Sequence, residues 1–176
     1  ADAAGLAPGT AVRVNGRVEE AAFAKGLPVT RLRAASVEVL GGPATLPPPV
    51  RLFTEVGMPP VLDDDALAAF EPDADALDRW ESLEGMRVEL PGGTVVGPTA
   101  SYGELVLRPD GAPEAPRSEH GGVLLTAAGA TTQRAVLGRR LAGNIPELPV
   151  GARLAGPITG IVDYSFSAYK VLPLAP

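Results

Sequence analysis

The residues best suited to chemistry fall into three groups. Carboxylates cluster at Asp63-Asp64-Asp65 and again at Asp73, Asp75 and Asp78, a density that suits a hard divalent cation such as calcium. The turn glycine and late bidentate glutamate of the common calcium loop are missing, and capping aspartates on solvated helix faces are the other reading. Aromatic residues cluster at Tyr164, Phe166 and Tyr169, with Arg153 and Lys170 nearby. On a strand face such rings stack on unpaired bases while the cations follow the phosphates; the alternative places Phe166 in the core and both tyrosines over barrel ends. Arg31 and Arg33 alternate with apolar residues, and Arg134, Arg139 and Arg140 fall close to another strand. Both spacings suit phosphate contacts, and both also suit a solvated strand face.

Other chemistries are excluded by what the 176 residues lack. Without cysteine there is no disulfide scaffold, thiolate zinc site, iron–sulfur cluster or thiol nucleophile. A single histidine, His120, rules out multi-histidine metal sites. Ser118, Glu119 and His120 are too close in sequence to form a hydrolytic triad, whose members usually come from separate loops. Fifteen basic and 21 acidic side chains give a net charge of −6, which argues against a strongly basic clamp on nucleic acid. The charge is local, however. Residues 1–62 carry six cations and five anions, residues 63–90 two and ten, and residues 91–176 seven and six. The acidity therefore belongs to one segment, and the regions on either side each come out near +1.

Those side chains have to be positioned by short elements, because 21 glycines and 19 prolines make up nearly a quarter of the chain and favour strands joined by many turns. With 45% apolar residues there is enough material for a core. No apolar run reaches the roughly 18 residues of a spanning helix, and the first residues lack the charged start and apolar stretch of a signal peptide. Alternation at Val12, Val14 and Val18, then Val29 to Leu32, then Val37 and Val39, predicts three strands closed by the Pro47-Pro48-Pro49 linker. In the acidic segment Leu67, Phe70, Leu77, Trp80 and Leu83 recur at helical spacing, with Pro72 dividing two short helices. A second strand series comes next, at Met86–Leu90, Thr94–Val96, Tyr102–Leu107, Gly122–Leu125, Gln133–Leu137, Ile158–Phe166 and Ala168–Leu172. A strand with a central glycine occurs twice, around Gly16 and around Gly160. A missing side chain lets a strand bend sharply across a coiled sheet, so the repeat predicts two related barrels, the first represented only by its later strands.

Three stretches carry a resemblance to a known family. They are Val12 through Glu20 with Thr30-Arg31-Leu32 and Leu46 through Leu52; Trp80-Glu81-Ser82-Leu83-Glu84-Gly85-Met86-Arg87-Val88; and Pro157 through Pro173, with Tyr102-Gly103-Glu104-Leu105-Val106-Leu107 between the last two. In this order they resemble the region upstream of the catalytic domain in secreted bacterial nucleases of the ExeM and NucH type, within the endonuclease/exonuclease/phosphatase superfamily. The stretch His120 through Ala127 departs from that pattern, since it lacks the paired acids the family carries there. The resemblance implies a mostly β chain of OB-like small barrels with a short acidic helical segment. Residues 1–55 would be the later strands of a first barrel plus the linker, and residues 56–176 a second, complete barrel with helices near 64–84. It further implies a secreted or cell-surface, non-catalytic accessory region, with a catalytic nuclease domain beyond Pro176 as its partner and single-stranded or extracellular DNA as a possible ligand. No cofactor is expected in this chain; magnesium or calcium belongs to the catalytic domain. The residues expected to touch nucleic acid are Arg31, Arg33, Arg134, Arg153, Tyr164, Tyr169 and Lys170. The alternative is an interaction module of the cell envelope without nuclease activity.

Overall fold

A computed structural model describes residues 6–7, 9–22, 26–114, 116–125 and 130–175. Thr126 and Ala127, at the end of the stretch that departs from the nuclease pattern, lie outside them. The chain is mostly β and divides into two compact units between Pro48 and Pro49. No helix among the described residues is long and apolar enough to cross a membrane.

The first unit is an antiparallel ribbon of β1 (Thr10–Ala21) and β2 (Val29–Pro43). The expected break between Val29–Leu32 and Val37–Val39 does not occur. Ala34, Ala35 and Ser36 contain no chain breaker, so β2 runs through them, paired to β1 along its length. The register shifts between Asn15 and Gly16. A β-carbon on Gly16 would run into the carbonyl oxygen of Arg33, so the central glycine is required by the close approach of the opposite backbone. Both faces of the ribbon are open: Val12, Val14, Val18, Leu32, Val39 and Leu40 are all exposed. A two-stranded ribbon is marginally stable alone.

The second unit is a curled, barrel-like sheet of eight strands. In chain order these are β3 (Val50–Arg51), β4 (Arg87–Leu90), β5 (Gly93–Gly97), β6 (Leu105–Pro109), β7 (Ala135–Leu137), β8 (Arg153–Leu154), β9 (Ile158–Ser165) and β10 (Ala168–Pro173). The spatial order is β3-β4-β9-β10-β7-β6-β5-β8. Its alternating apolar positions supply the core: Val88, Leu90, Val95, Leu105, Leu107, Leu137, Val162 and Val171 are buried. Gly160 pairs with Val88 on one side and Pro173 on the other, and a β-carbon there would lie 2.5 Å from Val171 Cγ1 and 2.6 Å from the Leu172 carbonyl oxygen. The glycine-centred strand that recurs in the sequence thus marks, in both units, a place where backbones come too close for a side chain. The expected strand at Gly122–Leu125 is reduced to a single bridge between Arg117 and Val123, and the two-residue β8 gave no sequence signal.

The acidic segment forms one helix, α1 (Ala76–Glu81), where two were expected. Residues 63–70 form bends instead, because aspartate side chains take the backbone donors a helix would use. Asp63 Oδ1 accepts from the Leu67 N–H at 3.1 Å, and the two oxygens of Asp65 accept from Ala68 and Ala69 at 2.9 and 2.8 Å. Ala66 and Leu67 take positive φ, 60° and 62°, which ends any helical path. Leu67 and Phe70, assigned by spacing to an apolar helix face, are exposed, whereas Trp80 and Leu83 on the other side of Pro72 are buried.

Candidate nucleic-acid interface

The hairpin β9–β10 positions the aromatic cluster. Tyr164 and Tyr169 are directly paired across it, and Asp163 and Lys170 form the next pair. Side chains alternate between faces along a strand, so the two tyrosines share one face and Asp163 and Lys170 the other. α1 covers the tyrosine face. Trp80 stacks on Tyr169 with ring centroids 6.5 Å apart and planes 13° apart, and Tyr164 lies 4.7 Å from Tyr169 at a tilted 54°. Both tyrosines are only 8% exposed. Burial, reinforced by Glu81 and Glu84, pushes the Tyr169 phenol above its ordinary range.

Phe166 has the opposite environment: it is 96% exposed. Ser165 pairs with Ala168, so Phe166 and Ser167 are the two central residues of the turn. Their φ values of 53° and 61° are those of a type I′ turn, which usually calls for Asn or Gly. Neither is present, so the sequence pattern had no signal to separate Phe166 from the strand before it. The turn projects the ring outward, and Lys170 Nζ lies 5.1 Å from its centroid, within cation–π range.

Beside this turn is a cleft of about 250 Å³ whose lining includes Trp80, Tyr169, Arg134 and Ser167. Arg134 reaches it from the residue before β7. Its Nε is buried and has no hydrogen-bond partner among the described residues. An orphaned guanidinium donor beside aromatic rings is the kind of group that an anionic oxygen satisfies.

The remaining nominated cations are placed differently. Arg153 makes a bidentate pair with Asp110, at 2.7 and 2.9 Å, and that contact holds the Asp110 carboxyl below its ordinary range. Lys170 is 4% exposed and its ammonium donates to Glu104. Arg31 lies 3.9 Å from Glu19, and Arg33 is exposed on the same strand; both belong to the first unit. Of the seven nominated residues the structure brings Arg134 and Tyr169 to one cleft. Trp80 is a member the sequence did not nominate, and Phe166 stands at the turn beside the cleft.

Among the carboxylates, the set Asp73, Asp75 and Asp78 is not assembled as a group. Asp73 pairs with Arg79 at 2.6 Å and Asp78 accepts the Glu71 N–H at 2.5 Å. Asp75 meets other partners. One oxygen each from Asp63, Asp65 and Asp75 lie within 4.8 Å of one another, and so do oxygens from Asp64, Glu71 and Asp75.

No curated protein and no solved structure matches the chain. A family model does, over residues 40–176. This covers all of the second unit and the last residues of β2, and leaves most of the ribbon outside. The chain belongs to the family described as domain of unknown function DUF8508.

Proposed function

We propose that this chain is a non-catalytic accessory region of an extracellular, metal-dependent nuclease, and that its second unit holds single-stranded nucleic acid for a catalytic domain elsewhere in the parent protein. The observation that carries the reading is the cleft beside the β9–β10 turn. There Arg134, whose Nε has no hydrogen-bond partner among the described residues, lines one cleft with the Trp80 and Tyr169 rings, beside the turn that presents Phe166 to solvent. A base needs a flat apolar surface and a phosphate needs a donor, and this site offers both. The same hairpin lies in the stretch Pro157–Pro173, one of the three that carry the resemblance to the secreted nucleases. A curled β-sheet is also an architecture that binds single strands without reading sequence. The first unit fits the role of an incomplete barrel, since its ribbon leaves apolar side chains uncovered on both faces.

A second reading, a module that packs against protein in the cell envelope, is favoured by a different observation. A separate groove of about 410 Å³ is lined by Leu105, Leu137, Ile145, Pro146, Leu154 and Ile158, with hardly any charge. The two readings separate in a titration of a fluorescent single-stranded oligonucleotide at low salt. The nucleic-acid reading predicts binding tighter than about 100 μM, weakened roughly 5- to 150-fold by Phe166→Ala, as expected for loss of one stacked base. No binding at that concentration, or an unchanged affinity in the variant, would refute it and leave the packing role.

A further inference from the structure

We propose that the segment Asp63–Asp75 is a calcium site centred on Asp75, with Asp63 and Asp65 holding the ion from the loop and Asp64 and Glu71 completing its oxygen shell. The proposal is independent of the nucleic-acid reading. Two observations meet at Asp75. It is the one carboxylate shared by both converging groups, each of which brings three oxygens within 4.8 Å of one another. Oxygens that each lie about 2.4 Å from one ion fall within this span. Asp75 is also 1% exposed, and its Oδ1 is buried with no hydrogen-bond partner among the described residues. An ionised carboxylate is acceptor-only. Left buried beside other carboxylates the ionised form is unfavourable, and a bound cation would relieve that conflict without protonation of the group.

The local backbone is arranged around that side chain. Asp75 is the N-cap residue of α1 but makes no side-chain cap to it, although aspartate is among the best capping residues. Its side chain serves the acidic cluster instead. Its backbone is fixed by a bridge to Val61 and by its N–H donating to the Glu71 carbonyl at 2.9 Å. Asp63 and Asp65 are held by the backbone donors of Asp65, Leu67, Ala68 and Ala69; Asp63 Oδ1 takes two of these bonds, and each Asp65 oxygen takes one and keeps a lone pair for a metal. Several carboxylates on a loop fit calcium, which accepts six to eight oxygens in flexible geometry; magnesium demands a strict octahedron and keeps its waters. The ion would have a structural consequence. Asp75 begins the helix that carries Trp80, so calcium would fix α1 on the sheet and with it the wall of the cleft.

Calcium chloride titrated into the metal-stripped chain tests this, by calorimetry and by thermal unfolding in about 5 mM calcium against chelator. The expected result is saturable binding and a rise in Tm of about 5–10 °C at a hundredfold excess over Kd. Asp75→Asn should abolish both, and the exposed pair Asp64→Asn with Glu71→Gln, which leaves the buried carboxylate in place, should weaken binding at least about tenfold while the far-UV circular dichroism stays native. Absence of calcium binding by the wild type, an equal response to magnesium, or an undiminished calcium response in the folded double variant would overturn the proposal.

Discussion

Gly160→Ala should destabilise the second unit far more than a single methyl group normally does. Gly160 lies in β9 between β4 and β10, and the added β-carbon would stand 2.6 Å from the Leu172 carbonyl oxygen and 2.5 Å from Val171 Cγ1. A relaxed carbon–oxygen contact is about 3.3 Å, so the oxygen would have to retreat roughly 0.7 Å. The valine methyl can rotate away; the carbonyl belongs to a strand paired on both sides, with β9 and with β7. Strain of this kind costs about 1–3 kcal/mol, which in a chain of this size lowers Tm by roughly 2–10 °C. Gly156→Ala is the control: nothing lies within 4 Å of its new β-carbon, and the change should be neutral or slightly stabilising. Thermal unfolding followed by far-UV circular dichroism compares the two. Equal Tm values for the two variants would refute the argument that backbone proximity, and not chance composition, places glycine at the centre of β9.

Two pH effects arise from the ionic environment. Arg153 holds the Asp110 carboxyl below its ordinary value of 3.8, so the pair stabilises the fold above that pH and the contribution is lost as pH falls through the folded value. The Tm difference between wild type and Asp110→Asn should therefore shrink between about pH 6 and pH 3, and a constant difference would count against the pairing. At the alkaline end the sign is reversed in pH: the Tyr169 phenol titrates above its ordinary 10.0, so its contribution is complete below that pH and is lost as pH rises beyond it. Wild type should lose more stability than Tyr169→Phe between about pH 9 and pH 11. Parallel curves for the two proteins would show that Tyr169 is not sheltered by the Trp80 stack.

What could be seen in the sequence was what depends on local pattern. Alternation located β4, β5, β9 and β10 to within a few residues, because each buries one face against a neighbour and leaves the other patterned differently. The central glycines were visible for the same reason: a side chain missing from a strand has a local cost that needs a structural explanation. The helix expected across residues 64–72 failed because periodicity registers only side-chain spacing. It does not register that Asp63 and Asp65 can capture the N–H groups of Asp65, Leu67, Ala68 and Ala69. The cleft was hidden because its parts come from distant places in the chain: Trp80 from α1, Arg134 from the edge of β7 and Ser167 from the β9–β10 turn. Proximity in sequence also gave no sign of the partners of Lys170 and Arg153. Both sit near the aromatic residues in sequence or space, but their charges are met by Glu104 and Asp110, partners that no local pattern announces. The acidic segment is the seat of the net charge in the sequence and in the fold alike. Its most telling residue, the buried Asp75, stands out only once the loop has folded around it.

The central proposal is that this chain is an accessory region of a nuclease whose catalytic domain lies elsewhere in the parent protein. It is tested most directly by the intact parent protein recovered from culture supernatant, whose mass and peptide sequence reveal any residues beyond Pro176. The account predicts a further domain bearing the clustered acids that hold the metal of a phosphodiesterase site. A protein that stops there, or that continues into a surface-anchoring segment, would contradict it.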